Sequence, residues 1–346
     1  MSRFLRPSLA SAPPYVPGEQ ITGMNVKLNT NESPYPPSPR VAEAIAAAAA
    51  RLNRYPRPDA DAARFALANR LGLGPDEVFV GNGSDEILRM AFTAWVEPGA
   101  TVAWSTPTYT LYAILAGFAG AEIVDVPRAA DFSVPIKELA AVDASLTIIA
   151  NPNSPTGTVT PIEEIERLAA SCRLLLVDEA YADFAGWSAA ALVRRFENLV
   201  VARTLSKSYA LAGLRVGFAC AAPGLIADLR RLKDSYNVGL LADAGAAAAI
   251  EDEAHTAGLV NRILETRARL EAGLRRLGWT VQPSGANFVF ALPPDRNGRG
   301  AYERLRERGV LVRWLPGEKR VEEGVRITVG TDAEIERLLK EIEKDV

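Results

Sequence analysis

Arg173-Leu-Leu-Leu-Val-Asp178-Glu-Ala-Tyr181 is the stretch that decides the fold. Its apolar residues run on without alternation and end in a carboxylate, so it reads as a strand buried on both faces, as in parallel sheets, with Asp178 at its C-terminal end. Similar runs stand near Val102–Trp104, Thr147–Ala150, Leu199–Ala202 and Val216–Ala219, separated by helical stretches. That alternation predicts an α/β fold with a large, mostly parallel sheet flanked by helices. Open sheets of this kind bind ligands beyond the carboxyl ends of their strands. Taken alone, Asp178 reads better as a cap for the element that follows.

A second stretch, Arg203-Thr-Leu-Ser-Lys-Ser-Tyr-Ala-Leu-Ala-Gly-Leu-Arg215, sets one lysine among hydroxyls, with an arginine eight residues on. A lysine between serines is commonly a solvated loop charge. In the company of a strand ending at Asp178, these residues form an anchor for a phosphorylated aldehyde. Lys207 would bond the aldehyde carbon, Thr204 and Ser206 would bond phosphate oxygens, and Arg215 would grip the phosphate with its planar guanidinium. The implied cofactor is pyridoxal 5'-phosphate. A carboxylate at Asp178 then favours the protonated pyridine ring, the electron sink that stabilises a substrate carbanion. Tyr181 stands where a phenol reaches the cofactor's ring oxygen; it reads as readily as a core tyrosine with a satisfied hydroxyl.

Two further segments belong with these. In Phe79-Val-Gly-Asn-Gly-Ser84-Asp85-Glu-Ile-Leu a short strand runs through small residues into a helix whose first turn carries Ser84 and Asp85. Such a helix start suits an anion, although a plain capping motif has the same pattern. Ile148-Ile-Ala-Asn-Pro-Asn-Ser-Pro-Thr-Gly157 is another strand followed by a proline-fixed loop, where sheets of this class carry function.

With 346 residues and 48% hydrophobic content, the chain exceeds the usual size of one core, and two lobes are expected. The expected layout is an N-terminal arm and part of a small domain over 1–40, a large cofactor-binding domain over 41–245, and a small C-terminal α/β domain over 246–346. The start through Pro13-Pro-Tyr-Val-Pro17 reads as an extended arm. Helices are expected at Val41–Leu52 and, as one long stretch, from about Ala242 to Leu277. A net charge of −3 leaves no basic excess for nucleic acid. No apolar run is long enough to span a bilayer and the first residues lack a signal-peptide pattern, so a cytoplasmic location without a membrane partner is expected. Cys172 and Cys220 read as buried, reduced thiols. His255, the only histidine, reads as a surface residue, and no metal site is expected.

Nine segments carry a resemblance: Lys27-Leu-Asn-Thr-Asn-Glu-Ser-Pro34, Arg54-Tyr55-Pro56, Gly83-Ser-Asp-Glu86, Pro107-Thr-Tyr109, Pro155-Thr-Gly157, Asp178-Glu-Ala-Tyr181, Thr204-Leu-Ser-Lys207, Ala212-Gly-Leu-Arg215 and Arg326-Ile-Thr-Val-Gly-Thr331. In order and spacing the chain resembles the fold-type I pyridoxal-phosphate aminotransferases nearly end to end, and among them looks most like the histidinol-phosphate aminotransferases. The resemblance implies that Lys207 carries the cofactor, Asp178 pairs with the ring nitrogen, Tyr181 bonds the ring oxygen and Tyr109 stacks on the ring. Ser84, Asp85, Ser206 and Arg215 would hold its phosphate. Tyr55 would reach that phosphate from the neighbouring subunit, in a homodimer with shared active sites. Arg313 and Arg326 sit in strand-like runs whose alternation points to solvent as readily as inward; the resemblance gives them the anionic end of the substrate, with Tyr15 closing over it. One departure stands out. The family has asparagine directly before Pro-Thr-Gly, and this chain has Ser154, with Asn153 one position early.

The implied reaction is transamination of L-histidinol phosphate with 2-oxoglutarate, giving imidazole-acetol phosphate and glutamate, a step of histidine biosynthesis. Lys207, displaced by the substrate amine, would move the α-proton as a general base, with ping-pong kinetics. An aromatic amino-acid aminotransferase and a threonine-phosphate decarboxylase share the same anchor. A regulator that merely binds the cofactor is a third reading, against which the lack of an appended basic helix-turn-helix segment argues.

Overall fold

The computed structural model describes residues 3–5, 9, 15, 17–21, 23, 26–318 and 320–345. Of the proline-rich arm, Tyr15 and Pro17 are described; the extended reading of Pro13, Pro14 and Val16 lies outside these residues. Among the described residues twelve strands form three sheets. β1 (Val26–Lys27) stands apart from the large sheet, which contains β2 (Val78–Gly81), β3 (Thr101–Trp104), β4 (Glu122–Asp125), β5 (Leu146–Ala150), β6 (Leu175–Asp178), β7 (Leu199–Thr204) and β8 (Gly217–Ala221), in the order β2-β8-β7-β6-β5-β3-β4. β9 (Thr280–Val281), β10 (Phe288–Leu292) and β12 (Val325–Thr328) form an antiparallel sheet, and β11 (Val310–Leu311) pairs in parallel with β1.

The expected α/β architecture stands. From β4 through β7 all neighbours are parallel, and period-2 geometry sends alternate side chains of each strand into opposite cores. Leu175 and Val177 of β6 join one core with Leu199 and Val201, while Leu174 and Leu176 join the other with Ile148 and Val200. Register then places the site: Ala150 lies opposite Asp178, and Asp178 opposite Ala202. The loops after β5, β6 and β7 therefore leave the same edge side by side.

β8 departs from the parallel pattern, running antiparallel to both β7 and β2. An apolar run carries no information about strand direction. The consequence is local: Gly217 lies opposite Thr204 on one side and Gly81 on the other. That register brings the helix start after β2 up against the end of β7.

Two helical expectations need correcting. The helix expected at Val41–Leu52 spans Pro39–Ala49, starting two residues earlier because Ser38 caps it from Oγ and Pro39 occupies the first turn. The stretch expected as one helix from Ala242 to Leu277 is two, Leu240–Glu251 and Glu253–Arg276. Asp252 leaves the helical region (φ −93°, ψ 66°) and its carboxylate accepts from His255 N and from Ser38 Oγ. The position between residues 245 and 246 falls inside the first of these helices, which packs on the helices Pro39–Ala49 and Asp61–Leu71, and Ala246 and Ile250 join the large-sheet core. His255 is partly exposed at the surface, with Nε2 3.5 Å from Pro36 O. Both cysteines are free and buried. Among the described residues no helix is long and apolar enough to cross a membrane, and no side-chain cluster suits a metal ion.

Candidate active site

A cavity of about 390 Å³ opens at the shared strand edge, between the large sheet and the strands after residue 280. A wider groove of about 820 Å³ elsewhere runs past Glu77 and Arg194, whose charges are paired with one another. The smaller cavity gathers the chemistry. Its wall includes Lys207, Asp178, Tyr181, Ser84, Asp85, Tyr109, Thr204, Ser206, Arg215, Tyr15, Arg313 and Arg326. Tyr55 is the one expected site residue outside it: its side chain is 81% exposed and stacks on Tyr236 at 4.5 Å.

One end of the cavity is built to hold an anion. The helix Ser84–Trp95 begins after Gly83, at φ +83°, and has no side-chain cap, so its first N–H groups are left for a ligand. Gly83 is required here both by its backbone angle and because a Cβ would lie 2.7 Å from Arg215 Nη2. Thr204 Oγ1 donates to Ser206 Oγ at 3.0 Å, and Arg215 reaches the same Ser206 oxygen at 3.5 Å. The Asp85 carboxylate is engaged by Tyr109 Oη and Arg215 Nη2 at 3.3 and 3.4 Å. Like-charge repulsion leaves only its backbone to serve an anion.

Lys207 follows at the next step of the chain. Desolvation pushes its ammonium down to about 8, and the Arg326 guanidinium pushes the same way. Nζ donates to Thr30 O at 3.2 Å and lies 5.9 Å from the centre of the Tyr181 ring. The Tyr181 hydroxyl accepts from Asn31 Nδ2 at 2.9 Å, which leaves its own proton free to donate. Asp178 is buried, at 5% exposure, and takes the Tyr112 phenol at 2.7 Å and Ala180 N at 3.3 Å. Burial pushes its carboxyl up to about 6, against the Tyr112 bond that favours the ionised form. At neutral pH it is chiefly a carboxylate, without a cationic partner among the residues that bond it.

The opposite wall is cationic. Arg313 and Arg326 exchange backbone bonds of 3.0 and 2.8 Å as an antiparallel pair, so their side chains leave one face together. Like charges placed directly opposite repel, and an anion between them relieves this. Arg326 donates to Ser154 Oγ and to Asn29 O, each at 2.9 Å, while its buried Nε has no partner. Tyr15 meets Tyr109 edge-on at 5.9 Å. In the loop after β5, Ser154 lines the cavity, whereas the Asn153 side chain is turned into the loop, bonded to Pro107 O, Thr108 and Thr156.

The donor set fits pyridoxal 5'-phosphate. It comprises a lysine of depressed pKa, a buried carboxylate awaiting a cation, and a helix start with hydroxyls and Arg215 for the phosphate. At Gly217 an added Cβ would stand 2.3 Å from Ser84 N, so glycine is what lets the helix start sit this close to β8.

Sequence reasoning missed Tyr112, which holds Asp178, and Asn31, which holds Tyr181. Tyr112 lies three residues after Tyr109 but within an apolar run, where an aromatic reads as core. Asn31 belongs to the quoted Lys27–Pro34 segment, and its chemistry becomes visible only across the 150 residues that separate it from Tyr181.

Comparison with known proteins agrees with this geometry. The family model "Aminotransferase class I and II" matches residues 24–342. Histidinol-phosphate aminotransferase of Acetobacter pasteurianus is 47% identical over 347 residues, covering 98% of this chain and 97% of its own. The enzyme of that name from Marinomonas sp. (strain MWYL1) is 43% identical, with 98% of each chain covered. The crystal structure of histidinol-phosphate aminotransferase from Sinorhizobium meliloti in complex with pyridoxal-5'-phosphate superposes with a TM-score of 0.91 at 28% identity, over 100% of this chain and 99% of that one. The anchor lysine, the buried carboxylate and these likenesses lead to one conclusion: the chain belongs to the class I and II aminotransferases, pyridoxal-phosphate enzymes of fold type I.

Proposed function

We propose that the protein transfers the amino group of L-histidinol phosphate to 2-oxoglutarate, giving imidazole-acetol phosphate and glutamate in histidine biosynthesis. The observation that carries this reading is the Arg313–Arg326 pair facing the cavity that holds Lys207 and Asp178. The names of the relatives at 43–47% identity point the same way.

When bound, pyridoxal phosphate supplies the electron sink for the substrate's α-carbon. Lys207 would hold it through its side-chain amine. Thr204, Ser206, Arg215, Ser84 and the backbone of Asp85 hold its phosphate, Asp178 keeps its ring nitrogen protonated, Tyr181 donates to its ring oxygen and Tyr109 covers its face. Burial holds the Lys207 ammonium down to about 8, near the working range of a general base, and this amine would carry the substrate's α-proton. Arg313 and Arg326 grip the substrate phosphate, or in the second half-reaction a 2-oxoglutarate carboxylate, because both present paired oxygens. Tyr15 closes over that end.

The working unit is a homodimer. The support is Tyr55, which is exposed and outside the cavity of its own chain, so that a second copy offers it a use at the neighbouring phosphate. The cavity then lies between a large domain that starts at residue 41 and takes in the helix Leu240–Glu251, and a small one after it, completed by the N-terminal arm. A cytoplasmic location accords with two free cysteines.

The test is glutamate formation from 2-oxoglutarate with L-histidinol phosphate, L-phenylalanine or L-threonine phosphate as donor. Preference for histidinol phosphate is expected. Equal use of phenylalanine would mean that the arginines read a carboxylate, and carbon dioxide release without a keto acid would mean a decarboxylase.

A further inference from the structure

Asp178 is held by a residue that no part of the proposed chemistry uses. Tyr112, on the helix Leu111–Ala119, is fully buried, with its hydroxyl 2.7 Å from Asp178 Oδ2. Its ring meets Tyr109 edge-on at 5.6 Å and leans on Trp104 at 6.1 Å. The charge of Arg128 also acts on this hydroxyl; Arg128 is 3% exposed, with one bond from Nη1 to Phe132 O at 3.0 Å and a buried Nε without a partner. Among the described residues no carboxylate pairs with Arg128. A buried cation without a counter-ion is costly, so its persistence in the fold calls for a use.

We propose that Tyr112 is a positioning residue for the cofactor ring, fixing Asp178 as the ionised acceptor of the ring nitrogen's proton, and that Arg128 strengthens it as a donor. This rests on the Lys207–Asp178 reading of the site. The phenol must be the donor, since loss of its proton would set two buried anions 2.7 Å apart. A hydrogen bond to the charged form favours that form, opposing the burial that favours a neutral acid. Arg128 acts on the phenol electrostatically, pulling its acidity up against burial and the Asp178 charge. Ala180 N occupies the other carboxylate oxygen from one side only, and a carboxylate has about four acceptor positions. Room remains for the ring N–H.

The experiment compares wild type, Tyr112→Phe and Arg128→Met, each loaded with pyridoxal phosphate carrying 15N in the ring. The ring-nitrogen resonance is followed against pH beside kcat and KM, and thermal melting reports folding. In Tyr112→Phe the ring proton is expected to be lost about one pH unit lower or more, the size of one hydrogen bond to a charged group. kcat is expected to fall about tenfold at unchanged KM. Arg128→Met moves the ring titration the same way by less, and decides the matter if Tyr112→Phe does not fold. A ring nitrogen that titrates as in wild type in the folded variants overturns the inference and leaves the Lys207–Asp178 reading intact. A wild-type protein that takes up no cofactor overturns both.

Discussion

Arg326 Nη1 donates to Ser154 Oγ at 2.9 Å, so the arginine on β12 is tied to the one loop position that departs from the family pattern. Asn29 O takes the other terminal nitrogen at the same distance. Ser154→Ala removes one of two acceptors from a buried guanidinium, at a cost of about 1–3 kcal/mol. On the proposed function the arginine would grip ground state and transition state alike, so KM for both substrates is expected to rise roughly tenfold with kcat little changed. Steady-state kinetics check this; an unchanged KM would detach Ser154 from the substrate's anionic end.

On the proposed function, the depressed pKa of Lys207 would set the pH at which apoprotein captures its cofactor. Only the neutral amine attacks an aldehyde, and its fraction grows as pH rises through the pKa. The second-order capture rate, followed by stopped-flow absorbance, is expected to reach half its plateau near pH 8. An unperturbed lysine would go on gaining to about 10.4, and a rate still climbing at that pH would contradict burial as the governing influence.

Gly217 has no room for a side chain. A Cβ there would stand 2.3 Å from Ser84 N and 2.5 Å from the Gly83 carbonyl carbon, and both are backbone atoms that cannot swing aside. Gly217→Ala is expected to lose about 1–3 kcal/mol of stability as the crowded backbone shifts. Cofactor affinity should weaken with it, because the displaced segment is the helix start at the phosphate end. Urea unfolding and equilibrium dialysis measure the two effects, and wild-type values in both would mean that the contact relaxes freely.

Beneath the site, Arg203 bonds Asp183 at 2.5 Å and stands 3.9 Å from Glu179. Asp183 also accepts from Ser208, next to Lys207, and Glu179 follows Asp178. One buried guanidinium thus ties together the chain segments of Asp178 and Lys207. Burial pushes the Glu179 carboxyl up to about 7 even with Arg203 opposing it. Arg203→Met leaves these carboxylates without their cation and is expected to cost about 3–5 kcal/mol, read from the urea midpoint.

What was legible in the sequence was whatever chemistry shows in a single segment. Lys207 with its hydroxyls, Arg215 eight residues on and Asp178 at the end of an apolar run each declare themselves locally, and their strands were visible as unbroken apolar runs. Direction was not, because β8, antiparallel to both its neighbours, is as apolar as the parallel strands of the sheet. The break at Asp252 was hidden because an acidic run suits a helix interior nearly as well as a cap. Tyr112 and Arg128 were hidden for a different reason: a tyrosine in an apolar run and an arginine in a loop are ordinary until folding bonds the one to Asp178 and brings the charge of the other to bear on it. The choice between Asn153 and Ser154 likewise depended on which side chain the loop turns inward.

The most direct test of the central claim is to reduce the cofactor-loaded protein with borohydride, digest it and find the modified residue by mass spectrometry. The account predicts one pyridoxyl phosphate adduct, on Lys207, and its absence from Lys207→Ala together with loss of turnover. An adduct on another lysine, or a Lys207→Ala protein that still turns over normally, would contradict it.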